Sequence, residues 1–190
     1  MSFSPVAYVD SRKKDGNDLV LSSDDWFEFL KDLFYAWLSY NDSNIQIREL
    51  NEIIAWRLGK PLNLCFSGKA CTHWFSVSPF GDISACEYYN YDKSFGNITE
   101  STFPRIFQSK QFKDFEDTQL FVNPICKECE FYNLCGNGCS RLRRIGGSFD
   151  PKGINIYCKQ RKRLYYEINS SFNKIKAGKE VTGDGKEKRS

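Results

Sequence analysis

Residues 126–139 read CKECEFYNLCGNGC, and eighteen residues further on the chain reads YCKQRK, with one more cysteine. As spacings this is Cys126-x2-Cys129-x5-Cys135-x3-Cys139, a gap, and Cys158. Cys65, Cys71 and Cys86 stand upstream as C-x5-C-x14-C and complete the eight cysteines of the chain. Four sulfurs within so short a stretch must share a small volume, and thiolates crowded in this way hold a metal or an iron–sulfur cluster. Four disulfides are the minor alternative, because eight cysteines in 190 residues fall below the ~8–10% of a small disulfide scaffold.

Composition narrows the classes further. A 190-residue chain with 41% hydrophobic residues suffices for one compact domain with a small appendage. The net charge of +3 is too small to point to nucleic acid. No stretch approaches the ~18 consecutive apolar residues of a membrane span. MSFSPVAYVDSRKK has neither the apolar core nor the cleavage pattern of a secretory leader. The expected setting is therefore cytoplasmic, where cysteines serve as ligands.

Outward from the cysteines, the pattern predicts a mixed α+β chain. Phe3 to Val9 reads as a short strand, followed by the polar turn SRKKDGND. Ser22 or Ser23 is a candidate N-cap, with Asp24 and Asp25 in the first turn, where negative charge suits the helix dipole. Trp26, Phe29, Leu30, Leu33, Phe34 and Trp37 recur at helical spacing, which predicts an amphipathic helix over 24–40 with this stripe in a core. NDSN at 41–44 ends it. Ile45 to Leu50 alternates like a strand, and Glu49 to Leu58 reads as a second helix stopped by Gly59 and Pro61.

Trp74 to Ala85 reads as a β-hairpin turning at Pro79-Phe80-Gly81-Asp82, with Gly81 supplying a positive φ. The hairpin brings its open ends together, so Cys71 and Cys86 can face one centre. Phe95 to Ile98 reads as another turn, Ser101 to Phe107 as a short helix, and the segment after Cys158 as a longer one through Leu164, Tyr165 and Ile168. The last residues are rich in Lys, Gly and Glu and predict a disordered basic tail over 171–190.

With these residues in place, Cys71-x9-Gly81-x4-Cys86, the run from Cys126 to Cys139, and Cys158 resemble the seven-cysteine SPASM motif of radical SAM enzymes that modify peptides and proteins. Cys65 resembles the extra upstream ligand of the sulfatase-maturating branch, and FGNI, CGNGC and YC also fit. The resemblance implies a remnant of the radical SAM partial barrel over 1–62, with its last strand and helix, and a SPASM domain over 63–170. It also implies two auxiliary [4Fe-4S] clusters in cysteine cages and a peptide or protein substrate. No C-x3-C-x2-C loop for a cluster that binds S-adenosylmethionine is present. That cofactor is therefore expected only through a core outside these residues, with a separate radical SAM core chain as the candidate partner.

Two cubanes need eight thiolates, four each. The upstream group offers three and the downstream group five, so one cysteine must cross over. Cys126, Cys129 and Cys135 can wrap one cluster, which leaves Cys139 or Cys158 to cross. In two-cluster ferredoxins the cysteine after an x3 gap serves the other cluster, and the resemblance implies the same for Cys139. The expected sets are Cys65, Cys71, Cys86 and Cys139 for one cluster, and Cys126, Cys129, Cys135 and Cys158 for the other.

Two other readings compete with an auxiliary-cluster domain. One is a zinc module, since tetrahedral thiolate sites also use C-x2-C pairs, although x5 and x3 gaps are unusual there. The other is an interaction module that clusters merely fold. Glu87 follows Cys86 where the sulfatase-maturating branch carries an aspartate proposed as general base, so it is the catalytic candidate, weighed against a solvent-facing strand end. His73, the one histidine, reads as a hydrogen-bonded packing residue. Arg141, Arg143 and Arg144 read as a solvated face, or as charges that balance thiolate-bound clusters.

Overall fold

The computed structural model describes residues 1–3, 22–68, 70–86, 89 and 94–178. They fall into two compact units, one of Met1–Leu62 with Ile156–Ser190 and one of Asn63–Asn155. The expected strand from Phe3 to Val9 and the turn after it fall on 4–21, outside the described residues apart from Phe3.

The first unit is built from helices α1 (Ser23–Tyr40), α2 (Arg48–Arg57) and α8 (Cys158–Lys176). Ser22 caps α1, its Oγ accepting from Asp25 N at 3.1 Å, and Asn41 ends it in the left-handed region at φ 51°. The buried stripe is Phe27, Leu30 and Phe34, turned slightly from the expected one. Phe29 stands 37% exposed, while Phe27 lies under the Arg163 guanidinium of α8 at 4.0 Å. Arg163 also pairs with Asp24 at 2.9 Å. Tyr35 donates to Glu167, and its hydroxyl lies 3.3 Å from Ser171. Trp37 Nε1 donates to Ile45 O at 2.9 Å. Ile47, Leu50 and Ile53 bury one face of α2, and Leu164, Tyr165 and Ile168 one face of α8. A side chain buried as fully as Phe34 or Leu50, each at 0% exposure, is worth about 1.5–3 kcal/mol.

Two expectations for this unit are corrected. Among the described residues no strand runs from Ile45 to Leu50: Gln46 O accepts from the Met1 amino group at 2.6 Å, Arg48 N donates to Met1 O at 3.0 Å, and α2 begins at Arg48. Ile47, Leu50 and Ile53 are spaced by three, so the same apolar residues that mimic alternation pack as a helical face. The disordered tail does not begin at 171, because α8 continues to Lys176 with Ser171 2% exposed. Residues 179–190 lie outside the described residues. Helix α8 groups with α1 and α2 in this unit.

The second unit starts with α3 (Cys65–Gly68) and a 3-10 turn, Ala70–Thr72. The hairpin follows as β1 (Ser76–Val77) and β2 (Asp82–Ser84), antiparallel with Val77 opposite Ile83. Gly81 turns it at φ 87°. The turn expected at Phe95 to Ile98 is corrected: Gly96–Asn97 forms β3, with Gly96 opposite Ile83 and Asn97 opposite Asp82. The chain bends just afterwards, where Asn97 Oδ1 accepts from Thr99 N at 2.8 Å. Helices α4 (Phe103–Phe107) and α5 (Lys110–Leu120) cover this sheet. Ile83, Ala85, Tyr89, Phe95, Ile106, Phe112 and Phe115 form its core, and Cys71 and Cys86 pack against that core. Helix α5 was not anticipated. Its cap, Ser109 Oγ accepting from Phe112 N at 3.2 Å, is the signal that could have revealed it.

The remainder carries α6 (Pro124–Lys127), α7 (Tyr132–Cys135) and a 3-10 turn, Ser140–Leu142. A second sheet joins β4 (Arg143–Ile145) to both β5 (Ser148–Phe149) and β6 (Ile154–Asn155). Phe131 and Leu134 are fully buried. The other buried residues between 126 and 155 are cysteine, glycine and polar residues: Cys126, Gly136, Asn137, Gly138, Ser140, Arg141, Arg143, Gly153 and Asn155.

Candidate metal centre

None of the eight cysteines, all of them among the described residues, is joined in a disulfide. Cys65 opens α3, Cys71 sits in the 3-10 turn after it, and Cys86 follows β2. Cys126 lies in α6, and Cys129 N donates to Cys126 O at 3.2 Å. Cys135 ends α7, where Gly136, Asn137 and Gly138 follow with φ of 57°, 66° and 61°. Three successive left-handed residues reverse the chain within one turn, and the two glycines adopt that conformation without steric penalty. Cys139 follows directly, its carbonyl held by Asn155 Nδ2 at 3.2 Å. Cys158 is the first residue of α8, in the first unit.

The electrostatics bring four of these thiols into one neighbourhood. Burial pushes the Cys71 thiol up to about 12, and the negative charge of Cys139, Cys65 and Cys86 adds to the rise in that order. Like charges that raise one another mark thiols gathered in one place. Ser140, fully buried, works the other way by hydrogen-bonding the Cys71 sulfur. Its hydroxyl is also 2.7 Å from that of Tyr89, whose own pKa burial pushes up to about 12. With Cys71 as thiolate, Ser140 donates to sulfur and accepts from Tyr89, forming a two-hydroxyl chain that ends on the Cys71 sulfur. Neither Ser140 nor Tyr89 was singled out from the sequence; the hydroxyl directly after Cys139 was the available signal.

This donor set fits an iron–sulfur cluster. Soft thiolates are the cluster's ligands, and positive iron would offset the burial and the neighbouring charge that raise the Cys71 thiol. Among the described residues, no three Cys, His, Asp or Glu groups converge as a single-ion site. A cubane spreads its ligands over four irons and does not ask for that convergence.

Glu87 lies outside the described residues. His73 is exposed rather than packed, its Nδ1 3.5 Å from Thr72 Oγ1. The solvated face expected for the arginines is corrected. Arg141 is 7% exposed, its guanidinium 5.0 Å from the Tyr89 ring centroid and 4.8 Å from that of Phe149. Arg143 is 4% exposed, and Arg144 is half-buried and donates to Arg141 O and Arg143 O at 2.8 Å. Carbonyls and aromatic faces take the place of water around these cations.

Residues 65–130 match the SPASM family, an iron–sulfur cluster-binding domain. The match agrees with the resemblance carried by the cysteine motif. Among curated relatives, the cysteine-type anaerobic sulfatase-maturating enzyme of Clostridium novyi is 30% identical over 177 residues, which is 90% of this chain and 46% of the relative. The solved structure of hexahistidine-tagged anSMEcpe with bound AdoMet is similar with a TM-score of 0.70 and 27% identity, over 87% of this chain and 44% of that one. Native anSMEcpe with bound AdoMet and Kp18Cys peptide is similar at a TM-score of 0.63 and 25% identity, over 87% and 46%. The chain spans less than half the length of the curated relatives it matches.

Proposed function

We propose that the region over 63–170 is an auxiliary-cluster domain of a radical SAM maturase acting on a peptide or protein, where it relays an electron or seats the substrate. The observation that carries this is the Cys71 thiol, raised by burial and by the charges of Cys139, Cys65 and Cys86, within a segment that matches a cluster-binding domain. One [4Fe-4S] cluster is assigned to Cys65, Cys71, Cys86 and Cys139. The second, on Cys126, Cys129, Cys135 and Cys158, rests on spacing and resemblance. Bound at the first set, a cluster would supply a one-electron acceptor beside the apolar core against which Cys71 and Cys86 pack.

The chain's own residues have distinct parts. Ser140 and Tyr89 present a hydrogen bond to the Cys71 sulfur, and hydrogen bonds to ligand sulfurs tune a cluster's potential. Ile83, Ala85 and Phe95 back Cys71 and Cys86 and limit water. Glu87 is assigned the carboxylate that accepts the substrate's proton. The peptide substrate is supported by the peptide bound in the similar solved structure. S-adenosylmethionine binding is assigned to a core beyond these residues, since none of their cysteines forms C-x3-C-x2-C.

Anaerobic reconstitution tests the reading. Iron and labile sulfide in equal amounts, a brown chromophore and no zinc are expected. A colourless protein holding zinc, or no metal, overturns it.

A further inference from the structure

Arg143 opens β4 at 4% exposure, and each hydrogen bond from its guanidinium goes to a backbone carbonyl. Nε donates to Asn137 O at 3.2 Å and Nη1 to Pro151 O at 3.0 Å. Nη2 donates to Gly138 O at 3.1 Å and, at the long limit, to Gly136 O at 3.4 Å. Three of the four acceptors belong to the left-handed loop between Cys135 and Cys139. The loop is locked from its other side as well, by Asn137 Nδ2 on Gly153 O at 3.1 Å.

An arginine side chain stays protonated, and a buried cation is tolerated only where its charge is met. Carbonyl dipoles meet part of it. Among the described residues, no carboxylate stands within ion-pair distance of Arg143. Burial lowers its pKa, and the groups whose negative charge most opposes this are Cys71, Tyr89, Cys139 and Cys126. The groups near this cation are thus mainly cysteines of the proposed ligand sets.

We propose that Arg143 is a positioning residue and built-in counter-charge for the clusters. It fixes the loop that carries the chain from Cys135 to Cys139, and its buried positive charge is balanced by thiolate-ligated cluster. The inference rests on the cluster reading above. A cubane on four thiolates is a net anion, and one-electron reduction makes it more so, so a fixed cation nearby favours binding and favours the reduced form more. Arg143 thereby raises the midpoint potential of the cluster bound at Cys139.

The test uses the reconstituted chain as wild type, Arg143→Gln and Arg143→Lys, with iron retention and an EPR-monitored redox titration as readouts. Arg143→Gln, lacking the charge, is expected to hold the cluster about 10–100-fold more weakly and to shift one of two midpoints to more negative potential. Arg143→Lys, which keeps the charge but not the fork, is expected to bind more weakly while both midpoints stay near wild type. Wild-type potentials in Arg143→Gln, or equal shifts in both variants, overturn the counter-charge. If Arg143→Gln does not fold, Arg143→Lys decides: unchanged midpoints support the inference and a negative shift overturns it. A wild type that binds no cluster instead fails the functional reading itself.

Discussion

In the cluster-free protein, Cys71 should be far slower to alkylate than its thiol chemistry alone would give. Its pKa of about 12 stands three units above the ordinary value of 9.0, so at pH 8 the thiolate is about a thousandfold scarcer. A more basic thiolate is also a better nucleophile. With a Brønsted slope of 0.4–0.5, three units return roughly 15- to 30-fold. The net expectation is labelling about 30- to 60-fold slower than for an ordinary exposed thiol, with burial slowing it further. Glutathione in the same tube serves as the reference thiol. Timed iodoacetamide quenching of the metal-free chain, followed by peptide mass spectrometry, gives both rates from one sample. Rates within about threefold of each other would refute the buried, mutually charged cage. The same shift has a sign in stability. An unfolded chain ionises Cys71 near pH 9 while the fold keeps its proton until about 12, so the unfolded state binds fewer protons in that window. Stability of the metal-free fold is intact below pH 9 and falls as pH rises towards 12, by at most about 4 kcal/mol.

Gly153→Ala should destabilise by at least ~1–3 kcal/mol, because a Cβ there would meet Arg144 O at 2.2 Å and Arg144 N at 2.8 Å; an unchanged melting temperature would contradict the close approach of β4 and β6. Hydrogen exchange without iron should find α5 and the first sheet protected by their apolar core, with 123–155 gaining protection on cluster loading. Equal protection of 123–155 in both states would rule that out. The 190-residue chain should produce no 5′-deoxyadenosine from S-adenosylmethionine and dithionite above a cluster-free control, since it lacks the C-x3-C-x2-C loop.

How far the sequence could be read depended on whether local chemistry or distant packing decided each feature. Helix α1 was legible because Ser22, Asp24 and Asp25 write its start in local hydrogen bonds and charge. Its buried face was less so, since the choice of Phe27 over Phe29 depends on Arg163, over a hundred residues away in sequence. Ile45 to Leu50 misled because three apolar residues fit both an alternating and a helical face until the neighbouring helices are present. Helix α5 was missed because Phe112 and Phe115 give only one helical repeat among charged residues. The family of the cysteine region was legible because thiol spacing is itself the chemistry. Arg143 was not, because no composition rule says that a left-handed loop will offer three carbonyls to one cation.

Iron content in cysteine variants tests the ligand assignment most directly. Cys71→Ser and Cys139→Ser should each lose about half the iron, the double variant should lose no more than either single, and adding Cys129→Ser should remove most of the remainder. The account is contradicted if Cys139→Ser and Cys129→Ser together lose no more than either alone, while Cys71→Ser and Cys139→Ser add.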